Sequence, residues 1–260
     1  MHERRWPWVV TSALLLAAAV AAAGSTYLHW LPCRGALLSS SLLEGYQHGP
    51  GPGFSDACLQ RMDAGGLPFP YPRNPSEQTA WAAELGVLAM LLAGTAWLVL
   101  VLGVRWSLRT KAVAVLPGLA TLALAVASRA AAADPDRHPD GTISGWLEVA
   151  PEAAALVALT AIWHWQPEVQ EGGFAQVVVV AWGASAFGSA HMVVEYVFMV
   201  GFSAANWDVP PLTGLFTVIT LMLSAVLPLI LPVRSSGSPT AAGSGPLTPS
   251  EHSARSAAAS

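Results

Sequence analysis

Charge is what this sequence has least of. Only 11% of its 260 residues are Asp, Glu, Lys or Arg, against about 25% in an ordinary soluble domain. With 53% hydrophobic residues and a mean hydropathy of +0.49, the chain cannot cover a water-facing surface with polar groups. Its 12 basic residues form no block set against the 16 acidic ones, which excludes a nucleic-acid-binding surface. Cysteine is nearly absent too: Cys33 and Cys58 are the whole complement. They lack the Cys-x-x-Cys spacing of a thiol redox enzyme. There is no Gly-x-Ser-x-Gly elbow, phosphate loop or His-Glu-x-x-His zinc signature. No cofactor is expected. His164, between Trp163 and Trp165, reads as an interfacial residue rather than a haem ligand.

What is present is a series of apolar runs, each near the length that crosses a bilayer. They cover Trp6 to about Tyr27, Trp81–Val104, Ala112 to about Ala132, Trp146–Trp165, Phe174 to about Val200, and Leu212 to about Leu231. The expected fold is an all-α integral membrane protein of six transmembrane helices within residues 1–233. A cytoplasmic tail over 234–260, rich in Ser, Gly, Pro and Ala, is expected to be disordered. The first run also has the basic start, apolar centre and small residues (Ala21–Ala23) of a signal peptide. Cleavage near Gly24 would leave five helices. Pro228 is expected to kink or fray the last turn of the sixth run.

Arg4, Arg5, Arg105, Arg109, Lys111 and Arg234 fall on one side of the six-helix arrangement. The positive-inside rule then places both termini in the cytoplasm of a plasma-membrane protein. Segment 29–80 lies outside. Gly49–Gly53 (GPGPG) and Pro68–Pro75 (PFPYPRNP) oppose regular structure there, apart from one short helix at SLLEGY. Two cysteines in an oxidising compartment read as a disulfide, so this segment is expected to be a disulfide-closed cap. Trp207 and Asp208, in the last outer loop, can join its surface.

Ionisable residues inside the runs are the functional candidates. Glu84, Glu148, Glu152, Arg129, His191 and Glu195 all fall near one outer-leaflet level, where a polar cleft roofed by the outer loop would form. His191 and Glu195 are four apart and share a helix face, as do Glu148 and Glu152. The reading given most weight is structural: a His–Glu hydrogen bond or headgroup-facing patch. An ion or substrate path and a metal site are the sharper ones. For a metal, His191 and Glu195 are weak candidates, with Glu152 and His29 or His48 beside them. Ala184 and Gly188 form a small-x-x-x-small pair for close helix packing.

Three functions remain in view. The first is an accessory or scaffold subunit that recognises a membrane-protein partner through loop 29–80. The second is a cation- or proton-coupled small-solute transporter using the His/Glu cluster. The third is an intramembrane or lipid-modifying enzyme, for which the chain offers no nucleophile. Membrane lipids are expected partners in every case.

Overall fold

The apolar runs fold as helices in the computed structural model, which describes residues 5–33, 55–63, 77–133, 145–203 and 212–231. Among the described residues the order is α1 (Trp6–Trp30), a 3-10 turn (Leu31–Cys33), α2 (Asp56–Asp63), α3 (Glu77–Gly103), α4 (Leu108–Ala114), α5 (Leu116–Ala133), α6 (Gly145–Trp165), α7 (Pro167–Gly172), α8 (Phe174–Ala184), α9 (Ser189–Ser203) and α10 (Leu215–Ile230). The tail, His48, the SLLEGY segment, Trp207 and Asp208 lie outside the described residues.

Among the described residues four spans are long and apolar enough to cross a membrane, Trp6–Cys33, Ala80–Gly103, Leu108–Ala130 and Trp146–Trp165, or five if the bent pair in the fifth run is counted as one. The fifth run is not one helix. It breaks at Ser185–Gly188, and α9 leaves α8 at 85°. With only 11 residues, α8 is about 16 Å long, roughly half of a 30 Å hydrocarbon core. The sixth run gives α10, 16 residues and about 24 Å.

Helices α10, α1, α3, α5 and α6 pack in that order as an arc, each against the next. The arc encloses α8, whose Val177, Val180, Ala181 and Ala184 are buried. The turned helix α9 reaches from α6 to α10 and closes the gap between the arc's ends. Small residues make this possible. A Cβ on Gly94 would lie 3.0 Å from the Gly118 carbonyl oxygen, so α3 and α5 meet backbone to backbone. A Cβ on Gly183 would lie 2.4 Å from Ser224 Cβ, fixing α8 equally close to α10.

Hydroxyls and indoles tie the helices through carbonyls. Thr11 donates to Ala96 O (3.1 Å) and Ser25 to Ala82 O (2.6 Å), joining α1 to α3. Pro117 follows the single-residue break between α4 and α5, as expected where a proline removes a helical donor. Trp97 Nε1 fills the acceptor at Ala114 O. Gln166 Nε2 donates to Thr110 Oγ1 (2.7 Å), while Ser107 caps α4 by accepting from Thr110 N. Pro228 does not end α10, which runs on to Ile230. Gln176 of α8 donates to Pro228 O (3.2 Å) and Leu231 O (2.9 Å), satisfying the carbonyls at that end.

Cys33 and Cys58 form the disulfide, with sulfurs 1.98 Å apart and Cα atoms 4.9 Å apart. The segment is less irregular than its composition suggests, because Cys58 sits in the short helix α2. Ser55 Oγ accepts from Cys58 N (3.2 Å) and donates to Pro32 O (3.1 Å), pinning that helix to the end of α1. A bond closing 25 residues stabilises by about 3.5 kcal/mol in the chain-entropy treatment. We expect the Cys33→Ala/Cys58→Ala double variant to melt several degrees lower in detergent. Reductant should lower the wild type equally and leave the variant unmoved.

Candidate functional site

Breaking a helix inside a bundle frees backbone donors and acceptors that lipid cannot satisfy. Side chains from other helices supply what this break needs. Ser185 returns its hydroxyl to Ala181 O (3.0 Å). Thr121 Oγ1 of α5 lies 2.9 Å from Ala184 O. Thr217 Oγ1 of α10 lies 3.4 Å from Ala186 O. On the far side, Glu152 of α6 accepts from Ala190 N (2.9 Å, Oε2) and His191 N (2.8 Å, Oε1). The first turn of α9 is thus capped by a carboxylate from another helix, where a helix N-terminus favours negative charge.

The same device recurs one helix later. Glu195 of α9 accepts from the N–H groups of Gly214 and Phe216 (3.0 Å for Phe216) at the start of α10. Thr217 Oγ1 lies 3.3 Å from its second oxygen. Glu195 is only 2% exposed. Gly214, at φ 109°, turns the chain into α10, a conformation glycine adopts without strain. Trp30 Nε1 donates to Thr213 O (2.8 Å), so the end of α1 holds this turn as well. Gln176 at one end and Glu195 at the other therefore clamp α10, both from the broken fifth run.

His191, 7% exposed, does not pair with the Glu195 that shares its helix. Its Nδ1 is 3.1 Å from Glu152 Oε1. The rings of His191, Trp182 and Phe216 form a triangle, with centroids 5.8 Å (His191–Trp182), 6.5 Å (His191–Phe216) and 6.5 Å (Trp182–Phe216) apart. Nε2 is buried and has no hydrogen-bond partner among the described residues. His191 and Glu152 form the polar end of a cavity of about 420 Å³ between α6, α8 and α9. The rest of its wall is largely apolar and includes Ala155, Leu159, Val178 and Ala181. Leu156 (68% exposed), Val194 (51%) and Trp182 (42%) are the exposed large side chains of its lining.

The six ionisable candidates thus divide instead of forming one cleft. Arg129 and Glu84 make a half-exposed ion pair of 3.0 Å between α5 and α3. Glu152 and His191 pair at the break. Glu195 turns to α10. Glu148 is partly exposed one turn before Glu152 and joins no ion pair among the described residues. No three His, Cys, Asp or Glu side chains among the described residues are grouped as metal ligands. His191 and Glu195, the candidates for that role, turn to different partners: His191 to Glu152, and Glu195 to the start of α10. Ala184 ends α8 and Gly188 lies within the break, so they do not share a helix face. Ala184 is buried against the bundle, and Gly188 packs on Glu152, where a Cβ would lie 2.5 Å from Cδ. Thr121, Gln176 and Thr217 were not singled out in the sequence. Gln176 carried a signal, being the amide within an otherwise apolar run.

Comparison with protein-family models, curated proteins and solved structures finds no match.

Proposed function

We propose that this chain is a six-span plasma-membrane protein acting as an accessory or scaffold subunit, with loop 29–80 as its recognition surface. Insertion is supported by the apolar outside of the bundle. Val20, Leu102, Val126, Leu156 and Ile230 are each more than 60% exposed, a wall suited to lipid. Exposed Tyr27, Trp81 and Trp146 lie near helix ends, where interfacial aromatics belong. Retention of the first helix is supported by its packing: α1 lies against both α3 and α10 and supplies buried Leu15, Ala18 and Ala22. Both termini are assigned to the cytoplasm. Arg5 precedes α1, and the end of α3 reaches Pro7 at that level, followed by Arg105, Arg109 and Lys111. Arg109 stacks on Trp165 of α6 at 4.3 Å. The disulfide belongs to the opposite end.

The observation that carries the accessory role is the fate of the buried carboxylates. Glu152 and Glu195 hold helix N-termini, so neither is free to relay an ion or serve as a catalytic base. The test is a photo-crosslinking residue at Tyr71 in the outer loop of the full chain, expressed in its own membrane. One protein captured in stoichiometric amount is the expected result. A second reading, a solute transporter, draws on the broken fifth run, since half-helices often frame transport sites. It would replace the first if the partner-free chain moved a cation into proteoliposomes and Glu152→Gln stopped the flux without lowering the melting temperature.

A further inference from the structure

Uncompensated positive charge gathers where α3 turns into α4. Residues 104–107 make the link, and Arg105, Arg109 and Lys111 follow one another within it and the first turn of α4. Arg5, just before α1, lies at the same level, since a Cβ on Gly103 would stand 2.7 Å from Pro7. None of these cations makes an ion pair among the described residues. The acid with a described side chain at this end is Glu168 of α7, which is exposed and also joins no ion pair among the described residues.

The cations are held in place by the bundle. Ser107 caps α4, and Gln166 from the end of α6 binds Thr110. Lys111 Nζ donates to Leu102 O at 2.9 Å, which occupies one of its three N–H groups. The Arg109 guanidinium lies over the Trp165 ring, 4.3 Å from its centroid. A guanidinium stacked on an indole keeps the forked N–H groups that match a phosphate. Beside these cations stands Leu108, 84% exposed. An apolar side chain flanked by cations suits the boundary of a bilayer: leucine reaches the acyl chains while the charges stay with the headgroups. Trp165 and Trp106, both partly exposed, are the aromatic rings expected at that depth.

We propose that this rim binds an anionic phospholipid, with Arg105, Arg109 and Lys111 as counter-charges to its headgroup and its acyl chains lying along Leu108. A zwitterionic lipid offers the same phosphate but brings a cation of its own into a patch that is already positive. An anionic headgroup brings none, so the patch selects it. The site rests on insertion of the bundle in a membrane, and it does not depend on the accessory role.

The test titrates the purified full chain, in a mild detergent, with dioleoylphosphatidylglycerol or dioleoylphosphatidylcholine, and reads retained lipid by native mass spectrometry. Phosphatidylglycerol should be held at least about tenfold more tightly. Raising the salt from about 50 to about 500 mM should shrink that preference. Arg105→Gln/Arg109→Gln/Lys111→Gln should bring the two lipids to near parity. Arg105→Gln alone removes an exposed side chain that the bundle does not use, and should cost about fivefold even if the triple variant fails to fold. Arg129→Gln, at the other end, should leave the preference intact. Glycerol phosphate carries the same phosphate without acyl chains, and should displace the lipid only at far higher concentration. Equal retention of the two lipids, or a preference that survives both the triple variant and Arg105→Gln, would overturn the site. Displacement by glycerol phosphate at matched concentration would overturn the lipid in favour of a soluble phosphate. Carbonate extraction of the membrane-bound chain checks insertion separately: a chain that resists extraction yet shows no preference loses this site alone.

Discussion

Replacing Glu195 with alanine is expected to lower the melting temperature of the detergent-solubilised chain by roughly 10 °C, from a loss of about 4 kcal/mol. The carboxylate receives the Gly214 and Phe216 N–H groups and sits beside the Thr217 hydroxyl. In alanine's place these donors face apolar side chains, with no water at 2% exposure to take over. Glu195→Gln retains a carbonyl oxygen able to accept the same two N–H groups. It loses the attraction between a full negative charge and the helix N-terminus, worth about 1 kcal/mol. The expected order is therefore wild type, then Gln a few degrees lower, then Ala far below. Thermal unfolding followed by far-ultraviolet circular dichroism measures it. If Ala melts with the wild type, the carboxylate does not hold α10. If Gln is as damaging as Ala, the charge matters more than hydrogen bonding.

Glu195 also shows which part of such a site a sequence carries. Its presence in an apolar run, with His191 one turn earlier, is visible by inspection. The i, i+4 spacing puts the two on one face and invites pairing. Yet each meets something stronger on another helix: His191 the carboxylate of Glu152, Glu195 the unpaired donors of α10. Those partners are 39 and about 20 residues away in sequence, and spacing within one helix holds no information about them. The disulfide was legible for the opposite reason. The chain's two cysteines have only each other.

The apolar runs were legible because bilayer-length hydrophobicity is a one-dimensional signal. The break in the fifth run was not. Residues 181–191 contain no proline, and their small residues serve equally well in a continuous packed helix or a turn. What decides is supplied from outside: Thr121 and Thr217 accommodate the freed carbonyls, and Glu152 caps the new helix. The short helix α2 escaped notice for a related reason. Its eight residues are too few to be stable alone, and it is anchored by the Cys33 bond and by Ser55.

The mutual dependence of Gly188 and Glu152 gives the second large effect. A Cβ at position 188 would stand 2.5 Å from Glu152 Cδ and 2.7 Å from Oε1. That carboxyl group cannot swing aside freely, because Ala190 N, His191 N and His191 Nδ1 all hold it. Among the described glycines only Gly214 has a left-handed φ, so alanine at 188 is penalised by contact and not by backbone strain. Gly188→Ala should cost about 3 kcal/mol, at the upper end for overpacking. Glu152→Ala should cost about 4 kcal/mol, as two N–H groups and a buried histidine lose their partner. In the double variant the methyl group has nothing to strike, and the cap is already gone. Its stability should match that of Glu152→Ala alone, a coupling of roughly 3 kcal/mol between the two sites. Simple addition of the two losses would instead mean that Gly188 is required by the turn itself, and that the α6 carboxylate and the break in the fifth run are independent features. Near-complete coupling would mean that the break exists as a unit: a glycine that admits the carboxylate, and a carboxylate that caps the helix beginning there.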